Sequence, residues 1–573
     1  MNITFETLQN QIIGNNYKFK TPYGERVLTY ADFTASGKTL GFIEKYLLEV
    51  QKCYGNTHTE DDITGEVMTK ILHKSADIIK KYLNADENCY VIPSGSGATG
   101  AIESFAKIIG IYIPPASKKR IKNIIDEYKK SNKGINKMMK NSEKCLSHLP
   151  VVFIGPYEHH SNILIWKEGM AEVVEIGLNN DGALNLEELK RKVSDEKYVG
   201  RLKIGSFSAA SNVTGILTPV FKVAEILHEN NAYACFDFAA CAPYINIDMN
   251  KSDTEYFDAV YIAPHKFIGG PGSSGILVIN KKMYDGSIPP TVAGGGTVSF
   301  VSPYAYDFIN SVEDREMAGT PGIIQILRSA LVIELKNYIG LESIEQKERY
   351  YTQKVLERLS ENKNIEILGP KDVNNRLPIF SIKFKHDGKY IHPRFATKLI
   401  NDLFGVQTRA GCACAAPYGH RLLDISSENS SIYRYFIKDG MASIKPGWLR
   451  FNIHYVMTEC QVDFICNAME FVADYGYLFL SDYIMDLKSG KWKHKSDKEE
   501  YATVDRFGIE ESLEFIDKIE NEEAVCKINL NDEYERYLAE AENNAKRLKE
   551  NSVVELKSFK EEGIGWFYFM NTE

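Results

Sequence analysis

Short apolar runs alternate with helical stretches along the first half of the chain. Between residues 66 and 83 the apolar positions recur at the spacing of an amphipathic helix. The runs that are typical of buried strands, several of them followed by a helical stretch, are residues 88–93, 151–155, 171–176, 203–208, 232–238, 259–263 and 275–279. This order predicts an α/β fold with a mainly parallel sheet and helices on its faces. Because such sheets bind ligands at the carboxyl ends of their strands, we expect functional residues directly after these runs.

Three segments differ in pattern from this core. Residues 117–144 contain ten Lys or Arg against three acidic residues and no regular apolar stripe, so we expect a solvated surface insertion rather than a nucleic-acid patch. The serine-rich residues 424–431 predict a loop. After about residue 481 the chain becomes strongly charged, and residues 533–550 predict an exposed amphipathic helix to which we assign no role.

Composition limits the classes of protein to which this chain can belong. Its 573 residues are 44% hydrophobic and 25% charged, which excludes a disordered, collagen-like or small disulfide-rich protein. The net charge of -9 gives no general attraction to nucleic acid or anionic lipid. Since the start is not signal-like, no apolar run is long enough to span a membrane, and the ten cysteines are scattered, we expect a cytoplasmic protein with free thiols that binds small molecules.

A glycine-rich turn is the first candidate for chemistry. The SGSGATG sequence at residues 94–100 follows a predicted strand and begins a predicted helix, so its backbone amides and the Thr99 hydroxyl can meet an anion at the positive end of that helix. Gly95, Gly97 and Gly100 also match the G-x-G-x-x-G pattern of dinucleotide sites, although the basic segment stands where that pattern needs a strand ending in an acidic residue. From these residues alone, a phosphate site, a dinucleotide site and a plain tight turn all remain open.

Two ionisable residues stand at the ends of predicted strands. Lys266, directly after His265, follows the strand at residues 259–263, and burial there would lower its pKa enough for Schiff-base chemistry. The alternative is an exposed lysine at a turn. Asp237 ends the apolar run at residues 232–237, where a carboxylate needs a cationic partner such as a pyridinium nitrogen or the amino terminus of a helix.

Histidines and cysteines supply the remaining candidates. His159 and His160 follow the strand at residues 151–155, where an imidazole can stack on a flat cofactor, transfer protons or simply form a surface turn. A metal site is disfavoured because adjacent side chains diverge and no ligand set of recognisable spacing accompanies them. Cys412 and Cys414 suit neither a zinc site nor an unstrained disulfide, which leaves one reactive thiol or two inert cysteines.

Together these segments resemble the fold-type-I pyridoxal-phosphate enzymes of the class V aminotransferase family, and especially its cysteine desulfurase and selenocysteine lyase branch. The resemblance covers about residues 28–475. It rests on an ordered set of motifs, which are the glycine-rich turn, the histidine pair, SNVTG at residues 211–215, Asp237, His265 with Lys266, GTP at residues 319–321 and the late cysteine loop.

The resemblance implies a fold and a domain division. The fold is a mainly parallel sheet of the seven-stranded type with helices on both faces, a smaller α+β domain and a C-terminal extension. The implied parts are an N-terminal segment that joins the small domain, residues 1–60, a large cofactor-binding domain, residues 61–325 with an insertion at about 115–147, the small domain, residues 326–480, and the extension, residues 481–573.

By the same resemblance, pyridoxal 5′-phosphate is the cofactor. Lys266 would hold it as a Schiff base and move the α-proton of the substrate. Asp237 would keep the ring nitrogen protonated, and His159 would stack on the ring. The other residues that the resemblance assigns to the cofactor are Gly97, Ala98, Thr99, Asn212, His265 and, from a neighbouring subunit, Thr320.

A substrate site and a reactive thiol are implied as well. In the pattern Arg-x-Gly-x-x-Cys the cysteine comes five positions after the arginine, which selects Cys414 over Cys412. The Cys414 thiolate would attack the sulfur of the cofactor-bound cysteine and leave a protein persulfide and alanine. The residues implied in substrate binding are Arg450, which would pair with the substrate carboxylate, and Asn212, Arg409 and His58.

The chain departs from the family pattern at two cofactor contacts. Ala240 stands where the family usually has glutamine, and Ala263 stands where it usually has serine. The hydroxyl of Ser94 or Ser96, or a water molecule, could replace the lost hydrogen bonds.

The resemblance therefore favours a pyridoxal-phosphate-dependent cysteine desulfurase. Another class V reaction on the same cofactor, by an aminotransferase, an epimerase or a selenocysteine or β-lyase, is the main alternative. An NAD-dependent oxidoreductase and a non-catalytic scaffold are remote alternatives. The implied partners are a small amino acid, a second copy of the chain that completes the active site, and a sulfur-acceptor protein, without nucleic acid, membrane or metal.

Overall fold

The computed structural model describes most of the chain. The described residues are 3–57, 59, 61–131, 148–411, 414–497, 502–514, 528–551, 555–560 and 564–572. Two of the residues named above, His58 and Cys412, lie outside these ranges, and the basic segment is described only as far as Ser131. Within the described residues, no helix combines the length and the apolar character that crossing a bilayer requires.

The described residues form alternating strands and helices. The strands are β1 Lys18–Thr21, β2 Gly24–Val27, β3 Thr29–Tyr30, β4 Cys89–Pro93, β5 Val151–Ile154, β6 Glu172–Glu175, β7 Lys203–Ser208, β8 Tyr233–Asp237, β9 Ala259–Ile262, β10 Ile276–Asn280, β11 Val298–Val301, β12 Tyr306–Phe308, β13 Ile365–Ile367, β14 Ile379–His386, β15 Lys389–Ile391, β16 Val406–Gln407, β17 Arg409–Gly411, β18 Trp448–Asn452, β19 Tyr483–Met485, β20 Trp492–His494 and β21 Phe567–Tyr568. The α-helices are α1 Phe5–Asn10, α2 Gly41–Gln51, α3 Ile63–Tyr82, α4 Ala98–Ile108, α5 Pro115–Ser131, α6 Ser161–Glu168, α7 Leu186–Val193, α8 Val220–Glu229, α9 Val312–Arg315, α10 Ile323–Ile339, α11 Leu341–Glu361, α12 Pro393–Phe404, α13 Ala416–Leu422, α14 Ser427–Lys438, α15 Glu459–Tyr475, α16 Ala502–Arg506, α17 Ile509–Leu513 and α18 Leu530–Asn551.

Seven strands of the described chain form the large sheet, in the order β4-β10-β9-β8-β7-β5-β6. Only β10 runs antiparallel to its neighbours in this sheet. These are the seven strands that the apolar runs predict, with bounds that agree within one residue, and the predicted α/β class with a mainly parallel sheet is confirmed.

Helices cover both faces of the large sheet because its central strands are apolar on both sides. All four side chains of β5 are buried. Val152 and Ile154 pack in a cluster with Phe105 of α4. Val151 and Phe153 face the other way and belong to the larger cluster that includes the apolar sides of α3 and α10. Near-continuous apolar strands of this kind are expected where a parallel sheet is buried between two layers of helices.

A second sheet lies further along the chain. Its strands follow the order β17-β18-β14-β15-β21, and β13 also pairs with β14. Helices α12 and α15 pack against it. In the antiparallel pairing of β17 with β18, Arg409 stands directly opposite Arg450. This sheet therefore presents two of the predicted site residues from neighbouring strands.

The charged C-terminal region is packed against this second layer. The helix predicted at residues 533–550 is present as α18, but the prediction that it is exposed is wrong for one face. The ring of Tyr534 stacks on Phe464 of α15 with 3.7 Å between centroids. The buried Tyr537 hydroxyl accepts a hydrogen bond of 3.0 Å from the backbone N–H of Val27. The high charge of this segment suggested an exposed helix, but the charged residues occupy one face of an amphipathic helix and the opposite, apolar face is buried.

The serine-rich loop predicted at residues 424–431 is wrong, since α14 begins inside it. The Ser426 hydroxyl accepts a hydrogen bond of 3.1 Å from the backbone N–H of Asn429 and so caps the helix. Tyr433 is buried against Ile444. Serine favours both loops and helix N-caps, and here the apolar positions that follow decide for the helix.

The described part of the basic segment forms α5. Its side chains from Lys118 to Ile125 are exposed, so the predicted surface location is confirmed for the part of the segment that is described.

Candidate active site

A cavity of about 360 Å³ lies where the carboxyl ends of β4, β5, β7, β8 and β9 meet the second sheet. Parallel sheets bind ligands at this edge. The predicted site residues that line the cavity are Gly97, Ala98, Thr99, His159, Asn212, Asp237, His265, Lys266, Arg409, Cys414 and Arg450. Residues that are distant in the chain thus share one cavity.

Two predicted site residues are not part of this cavity as described. His58 lies outside the described residues. Thr320 is exposed in the single chain and does not line the cavity around Lys266. A second cavity, of about 750 Å³, adjoins the first at Ser96 and His265, and Pro321 lines it. Thr320 therefore lies beside this outer cavity rather than inside the inner one.

The glycine-rich turn directs the start of α4 at the cavity. Gly97 is the N-cap of this helix, and among the described residues no side chain caps it. The backbone amides of the first turn, which carry the positive end of the helix dipole, are therefore available to an anion. A Cβ atom built on Gly97 would lie 3.3 Å from Cδ2 and Nε2 of His265, so the close approach of the two segments depends on a glycine.

His159 is a neutral imidazole beside this turn. Its Nδ1 accepts a hydrogen bond of 3.2 Å from the backbone N–H of Ser161, so the ring proton is on Nε2. Burial, and then the nearby charge of Lys266, lower the pKa of His159 to about 4. The Ser161 hydroxyl also lies 2.7 Å from the Thr99 hydroxyl, which links the histidine to the first turn of α4.

Lys266 and Asp237 face the same cavity from the ends of neighbouring strands. Lys266 ends the short 3₁₀ helix Pro264–Lys266 that follows β9. Burial lowers the pKa of Lys266 to about 8 although the charge of Asp237 opposes this shift, so a substantial fraction of the amine is neutral near pH 8. Burial raises the pKa of Asp237, whose Oδ1 accepts a hydrogen bond of 2.9 Å from the Ala239 N–H.

These groups fit pyridoxal 5′-phosphate by the chemistry of the donor set. The uncapped start of α4 suits a phosphate, the partly neutral Lys266 amine suits an aldehyde, the buried Asp237 carboxylate suits a protonated ring nitrogen, and a neutral imidazole suits a flat ring face. Nothing in a dinucleotide calls for a reactive amine beside a buried carboxylate, so the cavity does not favour the dinucleotide interpretation.

The two departures from the family pattern also lie in this cavity. Ala240 and Ala263 both line it, and so does Ser96. Ser94 does not line it, because its hydroxyl donates to the carbonyl of Ile92 at 3.2 Å. Of the two serines expected to replace the lost contacts, only Ser96 is in position to do so.

Sequence reasoning missed the role of Asp32, which bridges the two site arginines. Arg450 donates from Nη2 to Asp32 Oδ1 at 2.9 Å and from Nη1 to the Asn212 carbonyl at 3.0 Å. Arg409 donates from Nε to Asp32 Oδ2 at 2.9 Å. Because like charges opposite each other on paired strands are destabilising, this carboxylate neutralises a repulsion that the fold itself creates. By the family resemblance, residues 30–33 are among the segments that line the entrance and floor of the pocket, but this did not indicate that Asp32 bridges the two arginines.

We expect Asp32→Asn to lower the free energy of unfolding of the cofactor-free protein by about 2 kcal/mol, since two charge-assisted hydrogen bonds lose their anion. Urea denaturation monitored by fluorescence would measure this difference. Asp181→Asn, at an exposed aspartate, is the control and should change stability by less than about 0.5 kcal/mol. An Asp32→Asn protein as stable as the wild type would show that the bridge contributes nothing.

Glu158, the residue before His159, is a second group that the sequence did not single out. It is buried, and burial raises its pKa to about 7. Its carboxylate accepts hydrogen bonds from the N–H of Gly155 at 3.0 Å, the N–H and hydroxyl of Ser208 at 2.8 and 2.6 Å, and the Asn162 amide at 2.7 Å. These contacts fix the turn after β5 against β7, and so they set the position of His159.

Cys414 lies on the wall of the cavity opposite the large sheet. It is exposed and free, and its backbone has a positive φ of 57°. This left-handed conformation is uncommon for a residue other than glycine and is often found at functional sites.

Comparisons with known proteins identify the family of this chain. The family model described as aminotransferase class V matches residues 129–464, which is more than half of the chain. A probable cysteine desulfurase of Halalkalibacterium halodurans is 29% identical over 300 residues, which are 52% of this chain and 69% of that protein. A probable cysteine desulfurase of Staphylococcus aureus is 27% identical over 388 residues, which are 67% of this chain and 88% of that protein.

Solved structures show the same fold. The apo cysteine desulfurase from Thermococcus onnurineus NA1 superimposes with a TM-score of 0.62 at 20% identity, covering 83% of this chain and all of that one. The family match, the fold and the cavity together establish that this chain belongs to the aminotransferase class V family and is a pyridoxal-phosphate-dependent enzyme.

Proposed function

We propose that this enzyme is a cysteine desulfurase, which converts cysteine to alanine and leaves the sulfur as a persulfide on Cys414. One observation carries the proposal, namely that Cys414 lines the same cavity as Lys266 although the two are far apart in the chain. The similarity to proteins described as probable cysteine desulfurases supports it.

The cavity residues hold the cofactor and move protons. Pyridoxal phosphate, when bound, supplies an aldehyde for the amines and a ring that takes up an electron pair. Thr99 and the backbone amides of Gly97 and Ala98 would bind the phosphate, with His265 beside them. His159 would stack on the ring, and Asn212 would contact the ring oxygen or the substrate carboxylate.

Lys266 and Asp237 carry the acid–base chemistry. Lys266 would provide the amine that attaches the cofactor. The free amine would also be the base that takes the α-proton of the substrate, because its lowered pKa of about 8 suits proton transfer close to neutral pH. Asp237 would be the anion that favours the protonated form of the ring nitrogen.

The sulfur step balances without an external oxidant. The Cys414 thiolate forms a bond to the substrate sulfur while the carbon–sulfur bond breaks. The bonding electron pair remains with the substrate carbon, which takes up a proton and becomes the methyl group of alanine. The sulfur is oxidised to the persulfide level and the carbon is reduced by the same two electrons.

Substrate binding involves the arginines at the second sheet. Arg450 pairs with the substrate carboxylate, because a guanidinium can hold a carboxylate through two hydrogen bonds. Asp32 orients that guanidinium. Arg409, which lines the same cavity, and His58 are proposed to bind the substrate as well.

We expect Asp237→Asn to lower the rate of desulfuration by about 10²-fold, because a neutral amide no longer holds the proton on the ring nitrogen. The cofactor-free protein should lose no stability, since burial raises the pKa of Asp237 and so disfavours its ionised form when no cation is bound beside it. Alanine formation by the loaded protein and thermal unfolding of the cofactor-free protein test the two expectations. A variant with full activity would remove Asp237 from the mechanism.

Incubation with cysteine and a dithiol tests the function directly. We expect alanine and sulfide in equal amounts and, before the dithiol is added, a gain of one sulfur atom on the peptide that contains Cys414. Alanine, pyruvate or an exchanged amino group formed without sulfur on that peptide would refute desulfuration and indicate another class V reaction.

We propose in addition a homodimer whose Thr320 segment reaches the cofactor phosphate of the other copy. The exposed Thr320 beside the outer cavity supports this arrangement. Light scattering should give twice the mass of the chain, and a monomer at micromolar concentration would contradict it. An acceptor protein would collect the sulfur from the exposed Cys414, and a cytoplasmic location stays a prediction.

A further inference from the structure

One histidine holds the segment that carries Cys414 against the large-sheet layer. The backbone N–H of His160 donates to the Cys414 carbonyl at 2.9 Å. The backbone N–H of Ala416 donates to Nε2 of the same histidine at 3.0 Å. The two hydrogen bonds lie on either side of Ala415, which is buried. His160 thus holds this turn at both of its ends, and we call these two hydrogen bonds the dock.

We propose that His160 is a positioning residue for sulfur transfer, because it docks the Cys414 segment where the thiol can reach the substrate. This inference rests on the proposed function and deepens it. The reacting residue would be Cys414, and His160 would act through it.

The placement of His160 makes it suited to this task. Its carbonyl accepts the N–H groups of Ile163 and Leu164, so the backbone of His160 is fixed at the start of α6. The preceding residue is His159, which lines the cavity. The turn after β5 therefore carries both His159, which lines the cavity, and His160, which holds the Cys414 segment.

The Cys414 segment needs an external anchor. Cys414 adopts a left-handed backbone conformation that a cysteine does not favour by itself. The hydrogen bond from the His160 N–H to the Cys414 carbonyl fixes the C-terminal side of this residue. Within the described part of the chain, the hydrogen bonds that join residues 414–416 to the large-sheet layer are the two made by His160.

The dock depends on an unprotonated ring nitrogen. A backbone N–H can only donate, so Nε2 must accept and the ring must be neutral. Burial, and then the charge of Lys445, lower the pKa of His160 below its usual value of 6.5. A further titratable group near this histidine is His159, whose ring centroid lies 6.2 Å from that of His160.

The direction of the pH effect follows from this geometry. The docked state has the lower histidine pKa, so protonation opposes docking. Docking is complete above about pH 6.5, the pKa of a free imidazole, and weakens as the pH falls below that value.

Substitutions of His160 distinguish the loss of the hydrogen-bond acceptor from the loss of the volume of the imidazole ring. His160→Ala should slow persulfide formation on Cys414 by about tenfold, because one hydrogen bond of the dock is lost. The earlier change in cofactor absorbance on mixing with cysteine should keep its wild-type rate. His160→Gln should restore persulfide formation, since its amide oxygen reaches about as far as Nε2, whereas the shorter His160→Asn should not.

Hydrogen exchange provides a readout that does not depend on turnover. In the cofactor-loaded protein without substrate, the Ala416 amide should exchange about tenfold faster in His160→Ala than in wild type, and at the wild-type rate in His160→Gln. Below pH 6.5 the wild type should lose protection relative to His160→Gln measured at the same pH. His386→Gln, at a histidine that stacks on Tyr477 outside the cavity, is the matched control and should change neither measurement.

Several results would overturn the inference. An Ala416 amide that stays equally protected in His160→Ala would show that there is no dock. Faster exchange with an unchanged rate of persulfide formation would show that the dock does not position the thiol. A His160→Gln protein as slow as His160→Ala would assign the effect to ring packing. If the wild type forms no persulfide on Cys414, the proposed function fails, while the exchange rates still decide whether His160 holds the segment.

Discussion

Lys266→Ala is expected to abolish desulfuration, with a loss on the order of 10⁴-fold, because the variant lacks both the amine that attaches the cofactor and the base that moves the α-proton. The purified wild type should absorb at about 410 to 430 nm when loaded with cofactor, as lysine-bound pyridoxal phosphate does. The variant should lack this band. Borohydride reduction followed by peptide mass analysis should find the cofactor on Lys266 and on no other lysine.

The chain contains a matched control for this experiment. Lys336 is also buried, and burial lowers its pKa to about 8, but its Nζ donates to the carbonyls of Ala242 and Ile245 and does not line the cavity. Lys336→Met should keep the absorbance band and the labelled Lys266 peptide. Loss of the band in Lys336→Met but not in Lys266→Ala would reverse the assignment.

Cofactor uptake should depend on pH in a direction that the Lys266 amine sets. Since the lowered pKa of Lys266 is about 8, the reactive neutral amine is a minor form at pH 6.5 and the major form at pH 9. The initial rate at which the apoenzyme takes up pyridoxal phosphate should therefore rise between these values, reach about half of its maximum near pH 8 and level off above about pH 9.

Cys414→Ser is the second change with a very large expected effect. A hydroxyl is not ionised near neutral pH and cannot accept the substrate sulfur, so sulfide and alanine should fall on the order of 10⁴-fold, as when an enzyme loses its nucleophile. The cofactor absorbance and its change on mixing with cysteine should remain, because those steps do not use the thiol. Sulfide release at the wild-type rate would exclude a persulfide on Cys414.

Two other cysteines make this experiment specific. Cys53→Ser alters a free, half-buried thiol outside the cavity and should leave sulfide release unchanged. Cys412→Ser tests the neighbour that the sequence pattern rejects. Loss of activity in Cys412→Ser with full activity in Cys414→Ser would identify Cys412, and not Cys414, as the reactive thiol.

Much of the site could be predicted because the chemistry follows strand ends. Asp237 ends an apolar run, and His159 and Lys266 follow directly after such runs. Each is a polar residue at the carboxyl end of a strand, which is where parallel sheets bind ligands. The seven strands themselves were predictable for the same reason, because apolar runs of this length are typical of a doubly covered parallel sheet.

The parts that escaped prediction depend on contacts between distant segments. Asp32 reaches Arg450 across 418 positions, and no local pattern records that pairing. The dock between His160 and Ala416 joins residues 256 positions apart. Local patterns also gave a wrong prediction where one residue type is common in two kinds of structure. Serine is frequent in loops and at helix N-caps, and Ser426 caps a helix in the segment that was predicted to be a loop.

The hydrogen bond between Val27 and Tyr537 has a consequence for how the polypeptide is made. The two residues are 510 positions apart, and α18 covers the N-terminal hairpin of β1 and β2. The hairpin also contacts α12, through hydrogen bonds from Thr21 and Arg26 to the carbonyls of Asp402 and Leu403. Until α18 has been synthesised, however, the hairpin lacks one part of its native packing, so its folding can be completed only after a segment 510 positions further along the chain exists. The final stability of the N-terminal hairpin is in this respect decided late in translation.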